Sequence, residues 1–196
     1  MPRRPRDDRG GPVNMADRDT IVIRPLAEGD AAAFKALRLQ AIQDAPSAVQ
    51  PTHEEEAAHT LEDMRRCIRA TGHEVVFGAF LGDALVGVTG LRRFVPVQAA
   101  HKAVLWGVFV DPAHRRGGVA RRLLDAAIGH ARSARVLQIQ LCVNTENPRA
   151  QALYRSVGFE VFGVEPRSLC VGGRFYDEAH MVLRLDAGDG AAVSAC

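Results

Sequence analysis

The chain has 196 residues, 25 lysines and arginines against 23 aspartates and glutamates, and a formal net charge of +2. That length buries a core within one domain without metal or disulfide support, and the near balance of charge argues against a nucleic-acid or membrane-surface partner. Four cysteines at 67, 142, 170 and 196, with no C-x-x-C pair and no histidine cluster at ligand spacing, exclude a disulfide framework or a structural zinc and predict reduced thiols in the cytoplasm.

Residues 1–19 are polar and rich in Pro and Gly, which predicts a disordered N-terminal tail. Met1–Arg6 is basic, but Asp7, Asp8, Gly10 and Gly11 stand where an export signal needs apolar residues, and Met15 is an alternative start. Residues 187–196 read as a second flexible tail, and no run reaches the roughly 18 apolar residues of a membrane span. A single domain over 20–186 is expected.

Thr20–Arg24 is β-branched and closed by Pro25, a first strand; Phe34, Leu37 and Ala41 then recur at helical spacing. A polar connection through Pro46, Pro51 and Glu54–Glu56 leads to Thr60 and Asp63, a capping box opening a second helix with Leu61, Met64 and Ile68 inward, ending near Gly72. Val75–Phe80 and Leu85–Leu91 flank a Gly82-Asp83 turn, a hairpin. Ala103–Val110 is a fourth strand, and Val119, Leu123, Ala127 and Ala131 make the apolar stripe of a third helix. Val136–Val143 is a fifth strand. Asn147 as N-cap and Pro148 at the first helical position open a helix to Ser156, stopped by Gly158. Two last strands, 159–164 and 178–185, surround Gly172-Gly173. The expected order is β-α-α-β-β-β-α-β-α-β-β.

Chemistry concentrates at two places. Arg115-Arg116-Gly117-Gly118-Val119-Ala120 joins the fourth strand to the third helix, where unpaired amides and the positive end of the helix dipole can hold phosphate, with Arg116, Arg121 and Arg122 around them. There is no G-x-x-x-x-G-K-[ST] string and no G-x-G-x-x-G fingerprint, which argues against nucleotide hydrolysis and dinucleotide binding. Asn147 and Tyr154 lie seven residues apart, close to two helical turns, and share a face. Gly107 interrupts the fourth strand, as a bulge or a close backbone approach would require.

Taken together, Arg115–Ala120 and Asn147-x-x-Ala150-x-x-Leu153-Tyr154 followed by Gly158-Phe159 resemble the GCN5-related N-acetyltransferase (GNAT) superfamily over about residues 20–185. The resemblance implies a mixed α/β fold with a twisted, mostly antiparallel sheet whose parallel fourth and fifth strands splay apart between flanking helices. It also implies acetyl-coenzyme A (acetyl-CoA) as co-substrate, no metal, and a primary amine as acceptor. The pyrophosphate would rest on amides of residues 116–121, so that Arg115, Arg116, Gly117, Gly118, Val119, Ala120 and Arg121 form the cradle, with Asn147 and Tyr154 on the facing wall. The pantetheine arm would pair with the backbone at Val108 and Val110.

Within that frame a bulge at Gly107 would free an N–H at Val108 to stabilise the developing oxyanion. Tyr154, with a reference pKa near 10, would protonate the departing thiolate. No base is assigned. In the ribosomal-protein-alanine branch of the superfamily a glutamate stands where Cys142 stands here; Glu54, Glu55, Glu56, His101, Glu178 and His180 are the candidates for a water-relayed base. Cys142 and Trp106 read as core residues, although the thiol is also weighed as an acyl-carrying nucleophile. Segments 46–60 and 166–176 should flank the acceptor. The alternatives are a non-catalytic acyl-CoA binding module and an enzyme using a longer acyl donor.

Overall fold

The computed structural model describes residues 20–186, so both predicted tails lie outside the described residues. Seven strands form one sheet in the order β1-β2-β3-β4-β5-β7-β6, where β1 is Ile21–Pro25, β2 Glu74–Leu81, β3 Ala84–Arg93, β4 Lys102–Val110, β5 Gln138–Asn144, β6 Glu160–Val171 and β7 Arg174–Arg184. Every neighbouring pair is antiparallel except β4 and β5. The helices are α1 (Ala31–Asp44), α2 (His53–Ala58), α3 (Leu61–Ile68), α4 (Val119–Ser133) and α5 (Pro148–Ser156).

Alternation along β2 divides the core into two layers. Val75, Phe77 and Ala79 face one side and pack with Val119, Leu123, Ala127 and Ala131 of α4, the stripe read from the sequence. Val76 and Phe80 face the other side and pack with Phe34 and Leu37 of α1 and Met64 and Ile68 of α3. Trp106 joins this second layer at its edge.

Three local features differ from the sequence reading. The 46–60 connection contains α2, opened by a capping box in which Thr52 accepts from the Glu55 N–H and Glu55 accepts from the Thr52 N–H. The box lay hidden behind Pro51 and a glutamate run that reads as solvated loop. The second predicted helix stops at Ile68 rather than near Gly72. The last two strands are longer than expected because Gly172 and Gly173, with φ of 58° and 80°, make a two-residue turn that lets pairing run to its rim.

Candidate active site

Strands β4 and β5 pair only over Lys102–Val104 and Gln138–Gln140. Beyond that point they part, because Gly107 adopts φ +63° and the β3–β4 register shifts between Val88 and Gly90. The expected bulge is therefore present, and only a residue free of a Cβ takes that conformation without strain. The parting opens a cavity of about 700 Å³, walled by Trp106–Val110 on one side, Leu141–Asn144 on the other, and the first turns of α4 and α5.

One end of the cavity is the start of α4. Gly118 is its N-cap in the left-handed region, φ +75°, and no side chain caps the helix. The first intrahelical bond runs from the Arg122 N–H to the Gly118 carbonyl at 3.1 Å, so the amides of Val119, Ala120 and Arg121 have no partner within the helix. Arg116 is left-handed as well, φ 67°, and exposed. The neighbouring arginines are largely committed elsewhere. Arg115 donates to the Val110 carbonyl at 2.9 Å and to Asp44 at 2.5 Å. Arg121 binds Asp125 and the Ser156 carbonyl, and Arg122 binds the Ile21 carbonyl. What the turn offers an anion is mainly backbone N–H, with Arg116 as the nearby charge.

The other wall is α5. Asn147 accepts from the Ala150 N–H at 3.0 Å, the cap expected from the sequence, and lines the cavity together with Tyr154. Tyr154 is 7% exposed and meets Phe159 edge to face with ring centroids 6.0 Å apart. Burial pushes its phenol up to about 12, so it is a proton donor throughout the neutral range.

The base candidates separate by position. Glu56 is 2% exposed and ion-paired with Arg38, which holds its carboxyl below the usual range. Glu55 is spent on the α2 cap. The His101 carbonyl accepts from Leu137 and Gln138 at the closed end of the β4–β5 pair. Glu178 is buried and accepts from the Ser168 hydroxyl at 2.7 Å. His180 hydrogen-bonds Cys142 of the cavity wall, whereas the cavity-wall partner of Glu56 is a cation, Arg38. Cys142 is not the core residue expected: it is exposed, and Leu141 and Val143 take the buried positions on either side of it. Glu165, a partner of His180, escaped the sequence reading because only the β6–β7 pairing brings it near.

Segments 46–60 and 166–176 do converge. A second hollow of about 330 Å³ lies between Pro46–Ala48 and the Arg174–Tyr176 end of the β6–β7 ribbon, sharing Asn144 and Asn147 with the main cavity. Asn144 donates to the Ser47 carbonyl at 2.9 Å, and Arg174 pairs with Glu146 at 2.7 Å.

A largely antiparallel sheet that divides at its parallel pair, flanked by helices, is the fold of the N-acetyltransferase class. Residues 39–159 match the family model described as Acetyltransferase (GNAT) family, and the chain belongs to that family. It is 38% identical over 120 residues to the N-alpha-acetyltransferase RimI of Mycobacterium tuberculosis, covering 61% of this chain and 71% of that protein. It is 42% identical over 98 residues to an uncharacterized Mycobacterium leprae protein, covering 50% of this chain but spanning only 26% of that protein's length. Its fold superposes on an acetyltransferase from Salmonella typhimurium, solved with acetyl-CoA, with a TM-score of 0.78 at 22% identity, covering 91% and 100% of the two chains.

Proposed function

We propose that this protein transfers the acetyl group of acetyl-CoA to a primary amine by direct attack within a ternary complex. The observation that carries the reading is the cavity between β4 and β5, bounded at one end by the free amides of Val119, Ala120 and Arg121 and lined by the buried Tyr154. In this reading the pyrophosphate rests on the amides of residues 116–121, at the turn into α4, and the pantetheine arm runs beside Val108 and Val110. The neutral amine attacks the thioester carbonyl. The Val108 N–H stabilises the oxyanion, a donor of a kind worth about 2.7–4 kcal/mol elsewhere. As the C–S bond breaks, Tyr154 gives its proton to the departing thiolate, and the acylated nitrogen sheds its extra proton, which restores the phenol and leaves a neutral amide.

An N-terminal α-amine is the acceptor favoured by proton energetics. At pH 7 an ε-amine with a reference pKa near 10.4 lies about 4.6 kcal/mol from its neutral form, while an α-amine lies only about one unit above the solution pH. The similarity to an N-alpha-acetyltransferase supports the same choice. Of the three glutamates of α2, Glu56 is paired with Arg38 and Glu55 caps the helix, so neither is free to attract a cationic acceptor. Free thiols at Cys67, Cys142 and Cys170 fit work in the reducing cytoplasm. Among the described residues, no helix is long and apolar enough to cross a membrane.

Calorimetry with acetyl-, propionyl- and succinyl-CoA, followed by single-turnover assays against a peptide with a free N-terminal alanine, an Nα-blocked lysine peptide and spermidine, tests the reading. Acetyl-CoA binding with fastest transfer to the α-amine is expected. Binding without transfer to any amine would select a binding module, and loss of all coenzyme binding would remove the proposal.

A further inference from the structure

Cys142 and His180 face each other in register across β5 and β7, and Cys142 lines the cavity. The His180 Nδ1 lies 3.3 Å from the Cys142 Sγ, and its Nε2 lies 3.0 Å from the Glu165 Oε2. Phe162 packs edge to face on the imidazole, with centroids 5.9 Å apart. An ionised carboxylate only accepts hydrogen bonds, so Glu165 fixes the tautomer with hydrogen on Nε2 and leaves the Nδ1 lone pair turned toward Cys142. Cys142 lines the cavity, and a thiol is a weak donor that an ammonium N–H or a water readily replaces.

Direct attack needs a neutral amine, and an amine that arrives as ammonium must lose a proton inside the site. Glu56 is neutralised by Arg38, His101 sits at the closed end of the strand pair, and Glu178 is buried against Ser168. His180 combines an acceptor nitrogen turned toward the cavity-lining Cys142 with a carboxylate behind the ring, the arrangement of an oriented general base.

We propose that His180, oriented by Glu165, takes the proton from the acceptor ammonium at the Cys142 side of the cavity. The assignment rests on the acetyl-transfer reading above. An ammonium N–H bond breaks, an Nδ1–H bond forms, and the freed lone pair attacks the thioester carbonyl; as the C–S bond breaks, Tyr154 protonates the leaving sulfur, and the second proton shed by the acylated nitrogen restores the Tyr154 phenol and leaves a neutral amide. The imidazolium stands against the Glu165 carboxylate until it passes its proton to water, which reaches it because His180 and Glu165 are both partly exposed. Burial first, and then the Glu178 and Glu165 carboxyls, push the Cys142 thiol up, so it stays neutral beside the imidazole.

The test is the pH dependence of kcat/KM for the full chain, its H180Q, H180A and E165Q variants and C142A, with the free N-terminal alanine peptide and spermidine as acceptors. Acetyl-CoA affinity, measured by calorimetry, serves as the control for folding. H180Q should lose ten- to a hundredfold in kcat/KM at neutral pH together with the acid limb of the profile, and added imidazole should restore part of the H180A activity. E165Q should lose less kcat/KM than H180Q, because the amide oxygen still accepts from Nε2 and holds the ring but no longer carries the charge that stands against the imidazolium. C142A should slow turnover less than tenfold with the limb in place. An H180Q profile matching the parent overturns the assignment while leaving acetyl transfer intact. So does an S-acetyl Cys142 in acid-quenched digests with C142A inactive, which would make the thiol an acyl carrier. Coenzyme binding with transfer to neither amine overturns the underlying function, and this assignment with it.

Discussion

The Arg115 guanidinium donates to the Val110 carbonyl at 2.9 Å, tying the turn before α4 to the last residue of β4. The same side chain reaches Asp44 of α1 and lies over the Phe109 ring, 5.5 Å from guanidinium carbon to centroid. One arginine thereby fixes both the end of the strand proposed to hold the pantetheine arm and the turn proposed to hold the diphosphate. R115A should weaken acetyl-CoA binding about tenfold, and R115K should rescue little of it because the forked, stacked geometry is lost with the guanidinium. Calorimetry on both variants measures this.

Tyr154 makes two separable predictions. Y154F keeps the ring, so acetyl-CoA affinity should hold while turnover falls about a hundredfold, the scale of a lost general acid. Stability should also respond to alkali. The folded phenol sits at about 12 against a reference near 10, so its contribution is complete below pH 10 and lost as pH rises through the folded value. The loss is on the order of 2–3 kcal/mol, and Y154F should remove that component from urea melts recorded across pH 9–12.

Gly90 lies beneath Trp106. A Cβ at residue 90 would come within 2.1 Å of the indole ring, and Trp106 is part of the cavity wall. G90A must therefore displace the indole, costing stability on the order of 1–3 kcal/mol as overpacking does elsewhere. A fall in melting temperature together with a shift in Trp106 fluorescence, that of the chain's single tryptophan, checks it.

The sequence conveyed most of this architecture because its strongest signals are local. The α4 stripe, the Asn147-Pro148 start and the Gly107 interruption each act over a few residues, and each appears where the periodicity or the missing Cβ requires it. Pairing between distant segments carries no such mark. Nothing near Glu165 announces His180, fifteen residues on, and nothing near Glu56 announces Arg38; strand register and helix docking create both pairs. The arginines after Gly118 follow the same rule, since composition shows their charge but not Asp125, Ser156 or Ile21, which they bind.

The Arg38–Glu56 pair should govern acid stability. Arg38 belongs to α1 and lines the cavity, and Glu56 belongs to α2, so the pair docks the short helix onto the wall of the site. Six residues cannot hold a helix by themselves, and α2 therefore depends on its cap and on this contact. The hydrogen bond from Arg38 depresses the Glu56 carboxyl, so its contribution is complete above the unfolded carboxylate range and lost as pH falls through the lower folded value. E56A leaves a largely buried guanidinium without its partner and should cost about 3 kcal/mol near neutrality, whereas E56Q, which can still accept from Arg38, should cost less. Urea melts between pH 3 and pH 7 distinguish the cases. The parent should lose stability on acidification below the carboxylate range, and both variants should show a flatter profile there; a parent curve as flat as E56Q would mean that α2 is docked by its cap and apolar contacts alone.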